Sequence, residues 1–114
     1  MVLRTTPNIS VIIPAYNEEV FIGAWLTSLN QEKTTVTFEI IVVNNNSTDR
    51  TKKIATSFGV RVVDEIKKGA TSARNTGAAH ARGKILVFID ADCIASPHHL
   101  QTISEAYKRH SSGI

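Results

Sequence analysis

Four short runs of mostly β-branched apolar residues recur along the chain and predict four β-strands. They cover Ile9 to Pro14, Ile40 to Val43, Val60 to Val63 and Ile85 to Ile89. The first, second and fourth runs show little alternation between apolar and polar positions, which is typical of strands buried on both faces. Strands of this kind belong to parallel sheets that are covered by helices.

The segment after the first run has the apolar spacing of a helix. Ile22, Leu26 and Leu29 recur at intervals of four and three positions, which places them on one face. We expect Asn17 to cap this helix, because asparagine is a favoured N-cap residue. Glu18 and the glutamate after it would then lie in the first turn, where negative charge suits the positive end of the helix.

Three further helices are predicted between and after the other runs. The second is expected to begin near residues 47–49 and to end at Gly59, the third to span about 71–81, and the fourth to begin at Ser96-Pro97. Gly77 would weaken an isolated helix, so we expect it to mark close packing of the third helix against the sheet. The order β-α-β-α-β-α-β-α predicts an α/β fold with a doubly wound, mainly parallel sheet and right-handed crossovers.

The 114 residues are enough for one domain, which we place at residues 9–110, with loose residues at 1–8 and 111–114. The net charge of +3 comes from scattered basic residues without interleaved aromatics. This pattern favours a solvated surface over a nucleic-acid-binding face.

Cys93 is the only cysteine, so no internal disulfide forms and a reducing compartment is expected. Its position favours a small buried apolar side chain over a nucleophile or a metal ligand. The first residues lack the apolar stretch of a signal peptide, and no apolar run approaches the length of a membrane span. We therefore expect a cytoplasmic protein, with peripheral attachment to a membrane as an alternative.

Polar residues follow the predicted strands, where an open parallel sheet binds its ligands. Asp90 and Asp92 come directly after the last run and would repel each other in a partly dry site. A divalent cation, Mg²⁺ or Mn²⁺, would remove that conflict and would also bind substrate phosphates. The alternative is a turn in which both side chains accept hydrogen bonds from nearby amides.

Other strand ends offer further candidates, each with a structural alternative. The amides of residues 44–46 suit the edge of a base or a ribose, or they form a turn and a helix cap. Glu18 would accept from a nucleobase or favour the helix N-terminus. Arg74 would bind a diphosphate or a base, or it is a surface arginine. His98 and His99 diverge on a helix and share no metal face, and the sequence has neither a dinucleotide-binding glycine motif nor a P-loop.

These segments together resemble the family 2 glycosyltransferases of the GT-A fold, from Ile9 to about Tyr107. The matching segments are Ser10 to Glu19, Glu39 to Asp49, Gly69 with Ala73 to Gly77, and Ile89 to Asp92. Each is moderately specific, but four in the right order and at strand ends form a strong match. The resemblance implies the nucleotide-sugar-binding half of an enzyme that transfers a sugar from a nucleotide-diphosphate donor.

The resemblance also implies roles for individual residues. It places Pro14, Ala15, Tyr16 and Glu18 around the nucleoside, Asn45 at the base, Arg74 near the base or the diphosphate, Asp92 on the metal, and Asp90 on the ribose or the metal shell. Many relatives carry aspartate where Asn45 stands, so this chain keeps an acceptor oxygen without its charge. UDP-sugars are the expected donors and GDP-sugars the alternative. The acceptor, a saccharide, lipid or protein, is not specified.

The family's catalytic base and acceptor site come from sequence well beyond the metal motif, and the chain ends soon after Asp92. The first hypothesis is therefore a metal-dependent, inverting glycosyltransferase of cell-envelope or polysaccharide synthesis, seen as its truncated donor-binding half. The second is a nucleotide-sugar-binding module that does not transfer the sugar by itself. A nucleotidyltransferase is a distant third, because the first strand is not followed by a glycine-rich basic loop. A truncated sheet would leave an edge that favours self-association.

Overall fold

Strands and helices alternate along residues 7–31 and 36–89, the part of the chain that the computed structural model describes. The elements are β1 Ile9–Ala15, α1 Ile22–Asn30, β2 Phe38–Asn44, α2 Thr51–Ser57, β3 Arg61–Asp64, α3 Ala70–His80 and β4 Ile85–Phe88. The strands pair in parallel in the order β3-β2-β1-β4. This confirms the predicted α/β fold with a mainly parallel sheet.

The helices cover both faces of the sheet. Alternate residues of β1 point to opposite faces, and Val11 packs in a cluster with side chains of α1 and α2. Ile12 belongs to a second cluster with Ala73 of α3. The sheet is therefore doubly wound, and β1 is buried along nearly all of its length.

Helix α1 supplies four large side chains to the core. Ile22, Trp25, Leu26 and Leu29 recur at helical spacing and are all at most 1 % exposed. Burying a side chain of this size contributes roughly 1.5–3 kcal/mol before the entropy of ordering is counted. The predicted apolar face of this helix is confirmed.

The predicted start of α1 was wrong. The helix begins at Ile22 with Phe21 as its N-cap residue, and no acidic residue lies in its first turn. Asn17 has a φ of 52°, and its Oδ1 accepts a hydrogen bond from the Thr48 N–H at 2.8 Å. Its side chain is thus engaged with the neighbouring loop, and Glu18 lies in a turn that precedes the helix.

The two following helices depart less from their predicted bounds. Helix α2 begins at Thr51, two residues after the predicted region, and is followed by Gly59 with a φ of 77°. Helix α3 agrees with the prediction to within one residue at each end. A Cβ added to Gly77 would lie 2.4 Å from Cγ2 of Ile12, so the predicted close packing on the sheet is confirmed.

A polar network joins the amino ends of the central strands. The Ser10 hydroxyl, which is fully buried, donates to Oε2 of Glu39 at 2.6 Å and accepts from the Gly83 N–H at 2.8 Å. The N–H of Arg82 donates to the same carboxylate oxygen, and Nη1 of Arg61 donates to Oε1. Burial would raise the pKa of Glu39, but these hydrogen bonds and the Arg61 charge hold that pKa below its usual value.

Several predictions about the chain's ends lie outside the described residues. These are the fourth helix from Ser96-Pro97, the environment of Cys93 and the tail at 111–114. Leu86 and Phe88 are exposed on β4, the last strand of the described sheet, but self-association through this edge stays a prediction. No helix in the described part of the chain is long and apolar enough to cross a membrane.

Candidate functional site

Two loops at the carboxyl ends of β1 and β2 are joined by hydrogen bonds. The N–H of Asn17 donates to the Ser47 hydroxyl at 3.0 Å, while the Thr48 N–H donates back to the Asn17 side chain. The N–H of Glu18 donates to Oγ1 of Thr51 at 2.8 Å. Because side chains of one loop satisfy backbone groups of the other, the two loops form one structural unit.

Asp49 ties the same loops together from the α2 side. Its carboxylate accepts from the Thr51 hydroxyl and N–H and, at 3.2 Å, from the N–H of Glu19. Desolvation would raise the pKa of Asp49, but these hydrogen bonds hold that pKa below its usual value. The carboxylate is therefore ionised at neutral pH and serves the loop backbone.

A third loop, residues 65–69 between β3 and α3, is held by asparagine side chains. Nδ2 of Asn45 donates to the carbonyls of Glu65 at 2.9 Å and Lys67 at 2.8 Å. Oδ1 of Asn45 accepts from the Gly69 N–H at 3.0 Å. Asn45 is buried, so its amide spends both donor hydrogens and one acceptor site on this loop.

A cleft of about 390 Å³ opens where the three loops meet. It is lined by Tyr16, Asn45, Lys68, Gly69 and Ala70. Because Gly69 and Ala70 begin α3, the helix N-terminus lies at the cleft, and no side chain caps it. A helix N-terminus carries partial positive charge and free N–H groups, which suit an anion.

A larger depression of about 640 Å³ runs along α2 and includes Asn44, Asp49 and Lys52. Two of its polar side chains are already paired: Lys52 forms an ion pair of 2.8 Å with Asp64, and Asn44 donates to the same aspartate. Its lining residues Ser47 and Asp49 already bond to backbone N–H groups of the first loop. The cleft beside Tyr16 is therefore the better candidate for a ligand site.

The structure brings some of the predicted site residues together. Tyr16 and Asn45 line the cleft from the ends of neighbouring strands, and Tyr16 is 58 % exposed. Pro14 and Ala15 form the end of β1 behind Tyr16, with Ala15 buried.

The other predicted residues lie around or beyond this cleft. Glu18 is half-buried in the loop that joins α2. Arg74 is half-buried on α3, four positions after Ala70, so the two lie on one face of the helix. Asp90 and Asp92 lie outside the described residues, and residues 7–31 and 36–89 contain no cluster of three metal-binding side chains. The individual binding roles stay predictions.

Lys68, Gly69 and Ala70 were not predicted as cleft residues. They are exposed, and they form one wall of the cleft. The available signal was Gly69, whose φ of 121° strongly favours glycine, placed directly before a helix of small residues. A glycine before a helix N-terminus is a common way to bring backbone close to an anion.

Comparison with known proteins identifies the family. The profile described as Glycosyl transferase family 2 matches residues 10–114. The glycosyltransferase AglE of Haloferax volcanii is 40% identical over 101 residues, which cover 82% of this chain and 33% of that protein. The chain therefore belongs to glycosyltransferase family 2, as its sequence motifs indicated.

Solved structures agree with this assignment. S. aureus TarS in complex with UDP superposes with a TM-score of 0.84 at 29% identity, covering 91% of this chain and 33% of that one. The mannosyltransferase PcManGT of Pyrobaculum calidifontis, in complex with GDP-Man and Mn²⁺, gives a TM-score of 0.74 at 29% identity, with 84% and 31% coverage. The chain spans about a third of the length of the curated relatives that it matches.

Proposed function

We propose that the chain forms the donor-binding part of a metal-dependent glycosyltransferase that uses a nucleotide-diphosphate sugar. The observation that carries this proposal is the cleft at the carboxyl ends of the strands. It combines an exposed aromatic ring, a buried amide and a helix N-terminus within one concave site. An aromatic face suits a base, and a helix N-terminus suits a phosphate group.

The nucleoside would lie against Tyr16 and Asn45. The Tyr16 ring is exposed and free to stack on a base, while Pro14, Ala15 and Glu18 would complete the pocket behind it. The Asn45 oxygen has one lone pair left after accepting from Gly69, and it would accept from the N–H of uracil. Guanine also carries an N–H on this edge, so GDP-sugars are the alternative donors. TarS in complex with UDP supports the uridine choice.

The diphosphate would lie at the N-terminus of α3. Arg74 follows Ala70 by one helical turn on the same face and would add positive charge there. Asp92, supported by Asp90, would hold Mn²⁺ or Mg²⁺, and such an ion stabilises the charge of a departing diphosphate. The N–H of Ile89 bonds to the Ile12 carbonyl, so the described chain leads out of β4 beside β1, towards the carboxyl end of the sheet. The Mn²⁺ complex of PcManGT supports a divalent ion.

Transfer with inversion would also need a base that removes a proton from the acceptor hydroxyl. We expect that base beyond the metal motif, so the role proposed for the described residues is donor binding. The alternative function is a module that binds a nucleotide sugar without transferring it. The polysaccharide or cell-envelope role and the cytoplasmic location are proposed from the family alone.

Calorimetry of the chain with UDP, GDP and ADP, with and without Mn²⁺, tests the proposal. UDP should bind, Mn²⁺ should tighten that binding, and ADP should bind more weakly because its base edge lacks the imide N–H. Tyr16→Ala should weaken UDP binding by roughly 5- to 150-fold, because stacking on one base is worth about 1–3 kcal/mol. The matched control is Asn30→Ala on the exposed end of α1. Absence of nucleotide binding with Mn²⁺ present would refute the site.

A further inference from the structure

The wall of the cleft formed by residues 65–69 has little apolar anchoring. Ile66 is 85 % exposed, and residues 66–69 are exposed as a group. A segment without buried apolar side chains gains little from the hydrophobic effect and opens locally at low cost. Its position must therefore depend on polar contacts.

Those contacts come mainly from two consecutive asparagines. Asn45 donates to the carbonyls of Glu65 and Lys67, and Nδ2 of Asn46 donates to the carbonyl of Ile66 at 2.9 Å. Three consecutive backbone carbonyls of the loop are thus held by side-chain amides. The orientation of the Asn45 amide is fixed by chemistry, because carbonyls only accept and the Gly69 N–H only donates.

Gly69 connects this loop to the helix. Its N–H is bound by Asn45, and its carbonyl accepts the Ala73 N–H at 3.1 Å, as part of the first turn of α3. A Cβ at this position would meet nothing within 4 Å. Glycine is therefore required here by the φ of 121° and not by a tight contact. Asn45 therefore holds Gly69, the N-cap residue of α3, in position beside the cleft.

We propose that Asn45 is a positioning residue whose NH₂ group holds the 65–69 loop closed and so presets the nucleotide cleft. The identity of the ligand in this inference rests on the proposed function, whereas the closure of the loop does not. Aspartate at this position would keep the acceptor for Gly69 but lose both donors, and it would set a carboxylate against two carbonyls. Binding here then depends on an amide, and a carboxylate at this position is not equivalent to it.

Asn45→Asp separates this role from a direct contact with the base. Hydrogen exchange of the Gly69 amide should become at least roughly tenfold faster, because loss of two part-buried hydrogen bonds is expected to open the loop. UDP affinity should fall by the same factor as the fraction of molecules whose loop is closed, since only that fraction binds. Global stability should change little, so the urea midpoint of unfolding, read from Trp25 fluorescence, should stay close to that of the wild type. Asn30→Asp on the exposed end of α1 is the control for the added charge.

If Asn45 acts only by touching the base, Asn45→Asp keeps the acceptor. UDP would then bind as tightly or more tightly, with Gly69 exchange unchanged, and the proposal would be overturned. Failure of the wild-type chain to bind UDP would refute the proposed function. Loop closure would still be tested, because hydrogen exchange at Gly69 needs no ligand.

Asn46→Asp provides a second, independent test. Asn46 is not among the residues that line the cleft, and its φ of 65° is one that aspartate tolerates. The proposal predicts faster exchange at Gly69 and a smaller loss of UDP affinity, through release of the Ile66 carbonyl. No change in either quantity would contradict it, even where Asn45→Asp fails to fold.

Discussion

The two ends of the sheet are both rich in polar contacts, but they differ in what those contacts leave open. At the amino end, Ser10 bonds to both Glu39 and Gly83, and a Cβ on Gly83 would lie 2.7 Å from backbone atoms of Ile9 and Ser10. At the carboxyl end, the side chains bond to loop backbones and leave a cleft of about 390 Å³.

This difference shows that buried polarity alone does not mark a binding site. The amino-end network satisfies its own groups and fills its own space, which is how a buried polar cluster stabilises a fold. The carboxyl-end network joins three loops and leaves a cleft where they meet. We therefore expect changes at the amino end to alter stability and changes at the carboxyl end to alter binding.

The largest expected effect is that of Gly83→Ala at the amino end. The added Cβ would clash with the backbone of β1, which moves less easily than a side chain. The free energy of unfolding should fall by roughly 3 kcal/mol, as for severe overpacking. Urea denaturation followed by the fluorescence of Trp25, the single tryptophan, measures the change.

Gly23→Ala is the matched control within α1. The added Cβ would lie 3.9 Å from Ile54 and Phe58, an ordinary contact distance. Removing a glycine from a helix should leave stability unchanged or raise it by about 0.5–1 kcal/mol. Equal losses in both variants would show that the close packing at Gly83 is not the cause.

A smaller effect is expected from Glu39→Gln. The folded pKa of Glu39 is lowered, so its stabilising contribution is present above the unfolded value of 4.5 and is lost as pH falls through the folded pKa. The variant should be less stable than the wild type by about 1–3 kcal/mol at pH 7, because glutamine cannot satisfy all of the same donors.

The stability difference caused by Glu39→Gln should shrink as the pH falls below 4.5, because the wild-type carboxyl then becomes protonated as well. Urea denaturation at a series of pH values tests this. UDP affinity at pH 7 should stay unchanged in this variant. If the stability difference is constant with pH, ionised Glu39 is not its source. A loss of UDP affinity would contradict the expectation that the amino end of the sheet affects stability and the carboxyl end affects binding.

The strands and the packing of α3 were predictable from the sequence because they follow from local patterns. The β-branched runs specify buried parallel strands, and Gly77 within a helical segment indicates close approach to the sheet. The family motifs likewise placed Tyr16 and Asn45 at the ends of neighbouring strands, and the structure puts both in one cleft.

The tertiary uses of polar side chains were not predictable. Asn17 fits an N-cap by local preference, but a partner 31 positions away, Thr48, takes its side chain. Ser10 lies within an apolar run and gives no sign of its partner Glu39. Helix-cap preferences describe neighbours along the chain, whereas these hydrogen bonds join loops that meet only in the folded sheet.

Mapping UDP onto the chain by NMR tests the central claim most directly. In a titration of isotope-labelled protein with UDP and Mg²⁺, the amide signals of Tyr16, Asn45 and Gly69 should shift in a saturable way. Signals from Ser10, Glu39 and Gly83, at the opposite end of the sheet, should stay in place. Shifts confined to the amino end, or no saturable shift near the cleft, would contradict the assignment of this site.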